Sequence, residues 1–146
     1  MKDKFQSIIK ENMEVRADET ILVAFSGGMD SVALLDLFLQ IGQPVMLAHY
    51  NHGLRENADR DELFSKETAR MNNLIFFSEK GNVTQFAVEN KLSIEEGARI
   101  ARYRFLTHIA RENNIHLIAT AHHADDQVET VLMHLFRGSG MKGLTG

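Results

Sequence analysis

A glycine-rich turn between an apolar run and a helix-like run constrains the fold of this chain more than any other feature. The turn covers residues 26–31 and reads Ser-Gly-Gly-Met-Asp-Ser; residues 20–25 before it are strand-like, and residues 31–41 after it are helix-like. Two glycines keep side chains away, so that backbone N–H groups can approach an anion, and the helix N-terminus adds partial positive charge. The pattern therefore predicts a phosphate-binding loop. Asp30 would repel a bare phosphate and fits better as a partner of a magnesium ion carried on the phosphates.

Strand-like and helix-like segments alternate along the 146 residues, which is typical of an α/β fold in one domain. We predict an open, mostly parallel sheet with helices on both faces. The predicted strands cover residues 20–25, 45–50, 74–77 and 115–121, and the predicted helices cover 4–13, 31–41, 58–72, 84–90, 93–113 and 124–136. In the helix 58–72, we expect Leu63, Thr68 and Ala69 to face inward.

The helix predicted from residue 93 carries the clearest local signals. Ser93 and Glu96 have the spacing of a capping box. Its apolar residues recur every three or four positions and form one stripe, which consists of Ile94, Ala98, Ala101, Phe105 and Ile109. We therefore expect this helix to pack against the sheet along that stripe.

Composition excludes several classes of function. With no cysteine, the chain has no disulfide, no thiolate nucleophile and no thiolate metal ligand. A net charge of −4 is not typical of a protein that coats nucleic acid, so any such contact must be local. No apolar run reaches the ~20 residues of a membrane helix, and the N-terminus lacks the apolar core of a signal peptide, which predicts a cytoplasmic protein without a membrane partner.

A second polar segment follows the fourth predicted strand and reads His-His-Ala-Asp-Asp-Gln-Val-Glu-Thr over residues 122–130. Because parallel sheets bind ligands at the carboxyl ends of their strands, this segment should meet the residue 26–31 turn at one rim. Asp126 and Glu129 are three apart at a helix start and, with Asp30, could hold Mg²⁺. Asp125 suits an N-cap, and acids in a first turn also stabilise the helix dipole. The paired histidines allow a zinc or di-metal hydrolytic centre, although carboxylates suit Mg²⁺ better.

Other polar residues have two readings each. His52 and Arg55 follow the second strand and could reach a nucleotide phosphate or base, or lie in a solvated loop. Arg99 has Glu95 as a helical partner, whereas Arg102 has none and could stabilise phosphate charge. Arg137 and Lys142 flank a loop-like ending that could grip an anionic substrate. The Gly-x-Gly-x-x-Gly pattern at residues 138–143 follows a predicted helix rather than a strand, and no βαβ unit follows it, so a dinucleotide-binding fingerprint is not expected there.

The turn lacks the lysine of a Walker loop and resembles the PP-loop of the ATP pyrophosphatases. The chain as a whole resembles the N-terminal catalytic domain of bacterial tRNA(Ile)-lysidine synthases, and the likeness extends from residue 20 to the C-terminus. Besides the turn, the matching segments are His-Tyr-Asn-His-Gly-Leu-Arg at 49–55, Ser-Ile-Glu-Glu-Gly-Ala-Arg-Ile-Ala-Arg-Tyr at 93–103, Thr-Ala-His-His-Ala-Asp-Asp-Gln-Val-Glu-Thr at 120–130 and Arg-Gly-Ser-Gly-Met-Lys-Gly-Leu at 137–144.

This resemblance implies an adenine nucleotide alpha-hydrolase-like fold and a ligase that uses ATP and Mg²⁺. In that family, ATP adenylates the wobble cytidine of tRNA(Ile) with a CAU anticodon, and free L-lysine then displaces AMP to form lysidine. The resemblance assigns Ser26, Gly27, Gly28, Met29, Asp30 and Ser31 to ATP, Asp30 to the metal and catalysis, and Arg102, His122, Asp126 and Glu129 to catalysis and lysine placement. From their positions in the sequence, we add His52 and Arg55 to the predicted ATP site, Asp126 and Glu129 to the predicted metal site, and Arg137 and Lys142 as predicted tRNA contacts.

The family continues past the position of Gly146, so residues 1–146 are expected to be the N-terminal nucleotide-binding domain of a longer enzyme. Two alternatives stay open: another PP-loop tRNA-modifying ligase, and an ATP-binding module that is inactive without further parts. A thiolating relative is disfavoured because no cysteine is available to carry sulfur. The oligomeric state, including a homodimer, is not determined by these patterns.

Overall fold

The computed structural model describes residues 1–123 and 131–137, with the backbone alone for residues 12, 122, 123 and 131–137. The chain forms five α-helices and five strands in these ranges. The helices are α1 (Lys2–Ser7, continued by a π-helical turn Ile8–Asn12), α2 (Met29–Gln40), α3 (Ala58–Met71), α4 (Val83–Glu89) and α5 (Ile94–Glu112). The strands are β1 (Ile21–Ala24), β2 (Val45–Asn51), β3 (Phe76–Lys80), β4 (Leu117–His123) and β5 (Val131–Arg137).

The strands form one sheet in the order β3-β2-β1-β4-β5. The first four strands are parallel, and β5 runs antiparallel to β4. Ala24 at the end of β1 lies opposite Ala48 on one side and Thr120 on the other. The predicted open, mostly parallel α/β sheet is therefore confirmed, and the carboxyl ends of β1, β2 and β4 lie at one edge of it.

The sheet separates two apolar clusters. One face of β1, with Ile21, Val23 and Phe25, packs against α1 and α2. The other face, with Leu22, packs against Phe105 and Leu106 of α5. Because both faces are covered, the β1 run is apolar throughout instead of alternating, as is usual for central parallel strands. This confirms the prediction of helices on both faces.

One predicted helix and the position of one predicted strand are wrong. The helix predicted over residues 124–136 is contradicted at Val131–Arg137, which forms β5. The glycine pattern at residues 138–143 therefore follows a strand and not a helix, so that this reason for rejecting a dinucleotide fingerprint is wrong. A short apolar run does not distinguish a helix from a buried strand, and pairing with β4 satisfies the backbone groups at an otherwise open sheet edge. The third strand covers Phe76–Lys80 rather than residues 74–77, because its ladder pairs Leu47 with Phe76 and Asn51 with Lys80.

The inner face of α3 also differs from the prediction. Ala69 is buried as predicted and Thr68 is half-buried, but Leu63 is 68% exposed. The buried positions of this helix are Ser65 and Ala69, one turn apart. Leu63 lies two residues before Ser65, which at 3.6 residues per turn places it on the opposite side of the helix. Ser65 therefore faces inward, whereas Leu63, which was predicted to face inward, faces solvent.

The start of α5 confirms the predicted capping box. The Ser93 hydroxyl accepts from the Glu96 N–H, and the Glu96 carboxylate accepts from the Ser93 N–H. Of the predicted stripe, Phe105 is buried, but Ile94 is 49% exposed. The deeply packed residue near the helix start is instead Gly97, where an added Cβ would lie 2.9 Å from Cβ of Ala87 in α4. The stripe prediction is therefore only partly confirmed, because α5 packs against α4 as well as against the sheet.

Over the residues that the structure describes, no helix is both long enough and apolar enough to cross a membrane.

Candidate nucleotide-binding site

The turn at residues 26–31, called the phosphate loop from here on, joins β1 to α2. Gly27 has a φ of +84°, a conformation that residues with a Cβ rarely adopt. A Cβ at Gly27 would lie 3.4 Å from Phe64 of α3, so this glycine allows α3 to pack closely against the loop. Gly28 is different, because its φ is −75° and a Cβ there would approach only Ser26 Oγ within 4 Å. The side of the loop at Gly28 is thus open to an approaching anion.

The two serines of the phosphate loop brace its backbone. The Ser26 hydroxyl donates to Ser31 Oγ at 3.2 Å and accepts from the Gly28 N–H at 3.3 Å. The Ser31 hydroxyl donates to the Gly28 carbonyl at 2.9 Å, and Ser31 is buried. These bonds hold the loop in shape without a ligand. The serines therefore act first on the loop itself, while its N–H groups are what an anion would meet.

The loop ends in the first turn of α2, whose N-cap is Gly28. A glycine N-cap has no side chain to bond the first N–H groups, so the helix end can offer them and its partial positive charge to an anion. Met29 is strongly exposed and contributes its backbone here, and Asp30 lies half-buried in the same turn. Among the residues whose side chains are described, no three or more metal-ligating side chains come together.

A cavity of about 360 Å³ opens beside the phosphate loop at the carboxyl ends of β1 and β2. This volume lies within the range of small-molecule sites. Two small residues, Ala24 at the end of β1 and Ala48 opposite it in β2, leave the space, and α5 supplies an apolar wall. The apolar lining residues include Ala24, Ala48, Ile94, Ala98 and Leu106. The lining is mostly apolar and includes Ser26 of the phosphate loop.

His52 is the half-buried polar group of this cavity, and its Nδ1 has no hydrogen-bond partner among the described residues. Burial lowers the pKa of His52, and the charges of Arg102, His49 and Arg55 lower it further. The ring also packs edge-on against Tyr50, with centroids 5.1 Å apart. At neutral pH the imidazole is therefore neutral and can offer a donor or an acceptor to a ligand.

Two arginines bring positive charge to the cavity. Arg102 lies on α5 with its guanidinium 5.3 Å from the centre of the Tyr103 ring, and its buried Nε has no hydrogen-bond partner in the described part of the chain. Arg55 is exposed at the mouth. Unpaired guanidinium N–H groups in a cavity suit phosphate oxygens. The ion pair predicted between Glu95 and Arg99 is not formed among the described residues.

Two buried polar residues of β2 received no role from the sequence. His49 Nδ1 lies 2.8 Å from the Phe25 carbonyl oxygen, so it donates there and holds the residue that precedes the phosphate loop. The Ser65 hydroxyl of α3 lies 3.3 Å from the same nitrogen. Asn51, two residues on, bonds the start of α3. His49 and Asn51 are two residues apart on a strand that is otherwise apolar and buried on both faces. Polar residues at such positions need buried hydrogen-bond partners, and this pattern could have identified them from the sequence.

The structure brings some of the predicted site residues together but not all of them. It brings the phosphate loop, His52, Arg55 and Arg102 to one edge of the sheet. The backbone of His122 lies near the carboxyl end of β4, at that same edge. The backbone of Arg137 pairs with Leu117, at the amino end of β4 and away from the loop. The remaining predicted residues, which lie outside the described ranges, are Asp125, Asp126, Glu129 and Lys142.

Comparison with known proteins finds one similar fold and several similar sequences. The fold is similar to that of an NH3-dependent NAD synthetase from Campylobacter jejuni, with a TM-score of 0.59 and 15% identity, covering 80% of this chain and 53% of that one. A tRNA(Ile)-lysidine synthase from Pseudothermotoga lettingae is 47% identical over 85% of this chain and 29% of its own length. One from Dehalococcoides mccartyi is 42% identical over 99% of this chain and 32% of its own length.

The bifunctional protein TilS/HprT of Listeria innocua is 40% identical over 99% of this chain and 23% of its own length. The chain thus spans about a quarter to a third of the length of these relatives. The family model of the PP-loop domain matches residues 1–146. With its phosphate loop, its sheet and this match in agreement, the chain belongs to the PP-loop domain family and has tRNA(Ile)-lysidine synthases among its relatives.

Proposed function

We propose that this chain is the N-terminal, ATP-binding part of a tRNA(Ile)-lysidine synthase. The observation that carries the proposal is the meeting of the phosphate loop and the cavity at one edge of the sheet. A nucleotide has an anionic phosphate end, which the phosphate loop suits, and a flat base, which the apolar cavity suits. The names of the relatives supply the substrate, a tRNA(Ile).

ATP would lie with its phosphates on the phosphate loop and its nucleoside in the cavity. The open side at Gly28 and the first N–H groups of α2 receive the phosphates. The apolar wall of α5 and the neutral His52 ring face the base and ribose. Arg102, whose Nε lacks a protein partner in the described region, is assigned to the charge that develops on the reacting phosphate.

Mg²⁺ fits the donor set proposed at this edge. Asp30 stands in the first turn of α2, where a carboxylate oxygen suits a hard cation carried by phosphates. Asp126 and Glu129 are assigned as its further ligands on the basis of the family resemblance. When bound, the ion supplies charge neutralisation to the triphosphate.

The proposed reaction has two steps, adenylation of the cytidine and displacement of AMP by lysine. The C2 oxygen of the wobble cytidine attacks the α-phosphorus of ATP, and pyrophosphate leaves. The ε-amine of free L-lysine then attacks C2, the C2–O bond breaks and AMP leaves, while the amine loses protons to a base for which His122 and the acids are candidates. Because the substrate is a tRNA with a CAU anticodon, the proposed place of action is the cytoplasm. Arg137 and Lys142 stay proposed tRNA contacts, and no homodimer is needed for these steps.

The phosphate assignment is tested by calorimetry with ATP, in the presence and absence of Mg²⁺, on the Asp30→Asn variant. The substitution keeps the size and removes the charge that the ion needs. We expect binding of ATP with Mg²⁺ to weaken at least about tenfold more than binding of ATP alone, since a lost carboxylate ligand costs more than 1.4 kcal/mol.

Asp36→Asn is the matched control, because it removes an exposed acid from the middle of the same helix. It should leave both affinities unchanged. Equal losses at Asp30 with and without Mg²⁺ would remove Asp30 from the metal site, and no ATP binding by the unaltered chain would refute its assignment as an ATP-binding part. ATP–pyrophosphate exchange that needs tRNA(Ile) would separate the synthase from an ATP-binding module.

A further inference from the structure

Asn51, the last residue of β2, lines the cavity and is the buried centre of a polar network that reaches the surface. Only 1% of its surface is exposed. Its side-chain NH₂ group donates to Asp59 Oδ1 and to Glu62 Oε2, both at 2.9 Å. Both acceptors lie in the first two turns of α3. One amide group therefore joins the end of a central strand to the start of the helix that packs on it.

The carboxylates determine which way the Asn51 amide points. An ionised carboxylate only accepts, so the NH₂ group must face Asp59 and Glu62. The Asn51 oxygen then faces the other way, where it accepts from the Gly53 N–H at 2.9 Å. Gly53 has a φ of +67°, so the chain turns sharply directly after the strand. The side chain thus fixes the turn that begins the segment 52–57, called the 52–57 loop below.

The acids are themselves held in place. The Asn51 amide lowers the pKa of the Glu62 carboxyl, and the Lys80 ammonium and the Asn51 amide lower that of Asp59. Lys80, the last residue of β3, donates to Asp59 Oδ1 at 2.8 Å. The Gly81 N–H that follows donates to the Asn51 carbonyl at 3.0 Å. The ends of β2 and β3 and the start of α3 are therefore bonded to one another through Asn51.

The 52–57 loop carries the cavity residues that this network does not touch directly. His52 and Arg55 both line the cavity, one as its neutral ring and the other as a cation at its mouth. Among the described residues, no side-chain hydrogen bond holds Arg55, and His52 Nδ1 has no partner. The His52 ring packs edge-on against Tyr50, and the turn at Gly53 connects His52 to the rest of the loop. Without the Asn51 bonds, the turn would lose its anchor, and Asp59 and Glu62 would lose the donor that they share.

We propose that Asn51 is a positioning residue of the nucleotide site: by bonding Asp59, Glu62 and Gly53, it holds the 52–57 loop so that His52 and Arg55 face the cavity. The identity of the ligand rests on the proposed function, but the positioning of the loop does not. A buried asparagine that served only the stability of the fold would lower the melting temperature without changing the site.

The test uses Asn51→Ala, which removes the donor and the acceptor and adds no charge. We expect its Kd for ATP to rise at least about tenfold, equivalent to 1.4 kcal/mol. We also expect the pKa of His52, measured by NMR titration without any nucleotide, to rise toward its ordinary value of 6.5, because the ring leaves Arg102 and the buried cavity. The second measurement stands even if the chain does not bind ATP.

The triple variant Asn51→Asp with Asp59→Asn and Glu62→Gln is the rescue. It reverses the direction of both bonds, because the two new amides donate to the new carboxylate, and the oxygen that accepts from Gly53 is kept. We expect Asn51→Asp alone to weaken ATP binding at least as much as Asn51→Ala, since three carboxylates would then meet. The triple variant should return to within about threefold of the unaltered chain, a difference of less than about 1 kcal/mol.

Asn82→Ala is the matched control for stability. Asn82 caps α4 by accepting from the Gln85 N–H at 3.1 Å, and the cavity lining does not include it. Its loss should lower the melting temperature through a loss of about 1 kcal/mol and leave the Kd for ATP and the His52 titration unchanged.

An unshifted His52 titration in folded Asn51→Ala overturns the positioning role. So does unchanged ATP affinity, if the unaltered chain binds ATP. A shifted titration in a chain that binds no ATP supports the positioning role while refuting the proposed function, so the two ideas fail separately.

Discussion

At the scale of single residues, neighbouring glycines in the phosphate loop serve different purposes. Gly27 has a positive φ and lies against Phe64, so a side chain there meets both a strained backbone and α3. Gly28 has an ordinary φ and an open side, so a side chain there meets space that the phosphates would use. Gly27 is thus needed by the fold, and we propose that Gly28 is needed for phosphate binding.

We predict that Gly28→Ala leaves the melting temperature close to that of the unaltered chain but weakens ATP binding at least about tenfold, because its Cβ occupies the phosphate side. Gly27→Ala should lower stability by about 1–2 kcal/mol through its left-handed backbone, and should weaken binding through the distorted loop. Thermal melts and calorimetry on both variants check this. Equal stability losses at the two positions would mean that both glycines serve the fold.

The pKa of His52 predicts a pH dependence of stability. The pKa is lower in the folded chain than its ordinary value of 6.5, so the unfolded chain binds a proton first as the pH falls. The free energy of unfolding is therefore not affected by His52 well above pH 6.5, and His52 lowers it as the pH falls below 6.5. We expect His52→Gln to gain in melting temperature relative to the unaltered chain as the pH is lowered. A constant difference between the two across this pH range would show that His52 titrates normally.

At the scale of elements, α5 packs against two neighbours, α4 and the sheet. Its start packs on α4 through Gly97, and its middle packs on the sheet through Phe105 and Leu106. Its intervening residues, Ala98 and Arg102, form a wall of the cavity. Close contact between α4 and α5 therefore sets how the arginine is presented to a ligand.

We predict that Gly97→Ala destabilises the chain, although alanine is the better helix former by about 1 kcal/mol. The added Cβ would lie 2.9 Å from Cβ of Ala87 and 3.3 Å from its Cα, so backbone has to move. Ala87→Gly removes the nearest atom, and a double-mutant cycle by denaturant unfolding should show favourable coupling of about 0.5–3 kcal/mol. Additive effects of the two substitutions would mean that α4 shifts freely and that the close contact has no consequence.

At the scale of the whole molecule, the arrangement of the sheet decides where chemistry can occur. The carboxyl ends of β1, β2 and β4 meet at one edge, and the segment after β4 carries Asp126 and Glu129. In parallel sheets, ligands bind where the strand order reverses direction, which here is between β1 and β4, next to the cavity that β1 and β2 line. We therefore propose that these acids act on the ATP phosphates.

We predict that, in a full-length lysidine synthase containing this sequence, Asp126→Asn and Glu129→Gln each reduce lysidine formation more than ~100-fold, the size of a lost electrostatic or acid–base contribution. If the acids only stabilise a helix dipole, each substitution would instead cost about 0.3–1 kcal/mol of stability and leave turnover nearly intact. A turnover assay with radiolabelled lysine and unmodified tRNA(Ile), run beside a thermal melt, separates the two. Normal turnover with a slightly lowered melting temperature would remove both acids from catalysis.

The sequence by itself determined the features that depend on neighbouring residues. The phosphate loop could be predicted because a Gly-Gly turn between an apolar run and a helix start is a local pattern, and the capping box of Ser93 and Glu96 is another. The alternation of strands and helices likewise predicted a parallel sheet with both faces covered. These predictions succeeded because their physical causes lie within a few residues of chain.

Only the tertiary structure decided the features that depend on which elements meet. Pairing with β2 placed β3 at Phe76–Lys80, and pairing with β4 made Val131–Arg137 a strand where a helix was predicted. The approach of α3 to the sheet turned Leu63 outward and buried Asn51 between distant partners. The hydrogen bonds from Asn51 to Asp59 and Glu62, and the contact of Gly27 with Phe64, each join two different elements. No periodicity encodes such contacts, because they follow from packing energy shared by several elements at once.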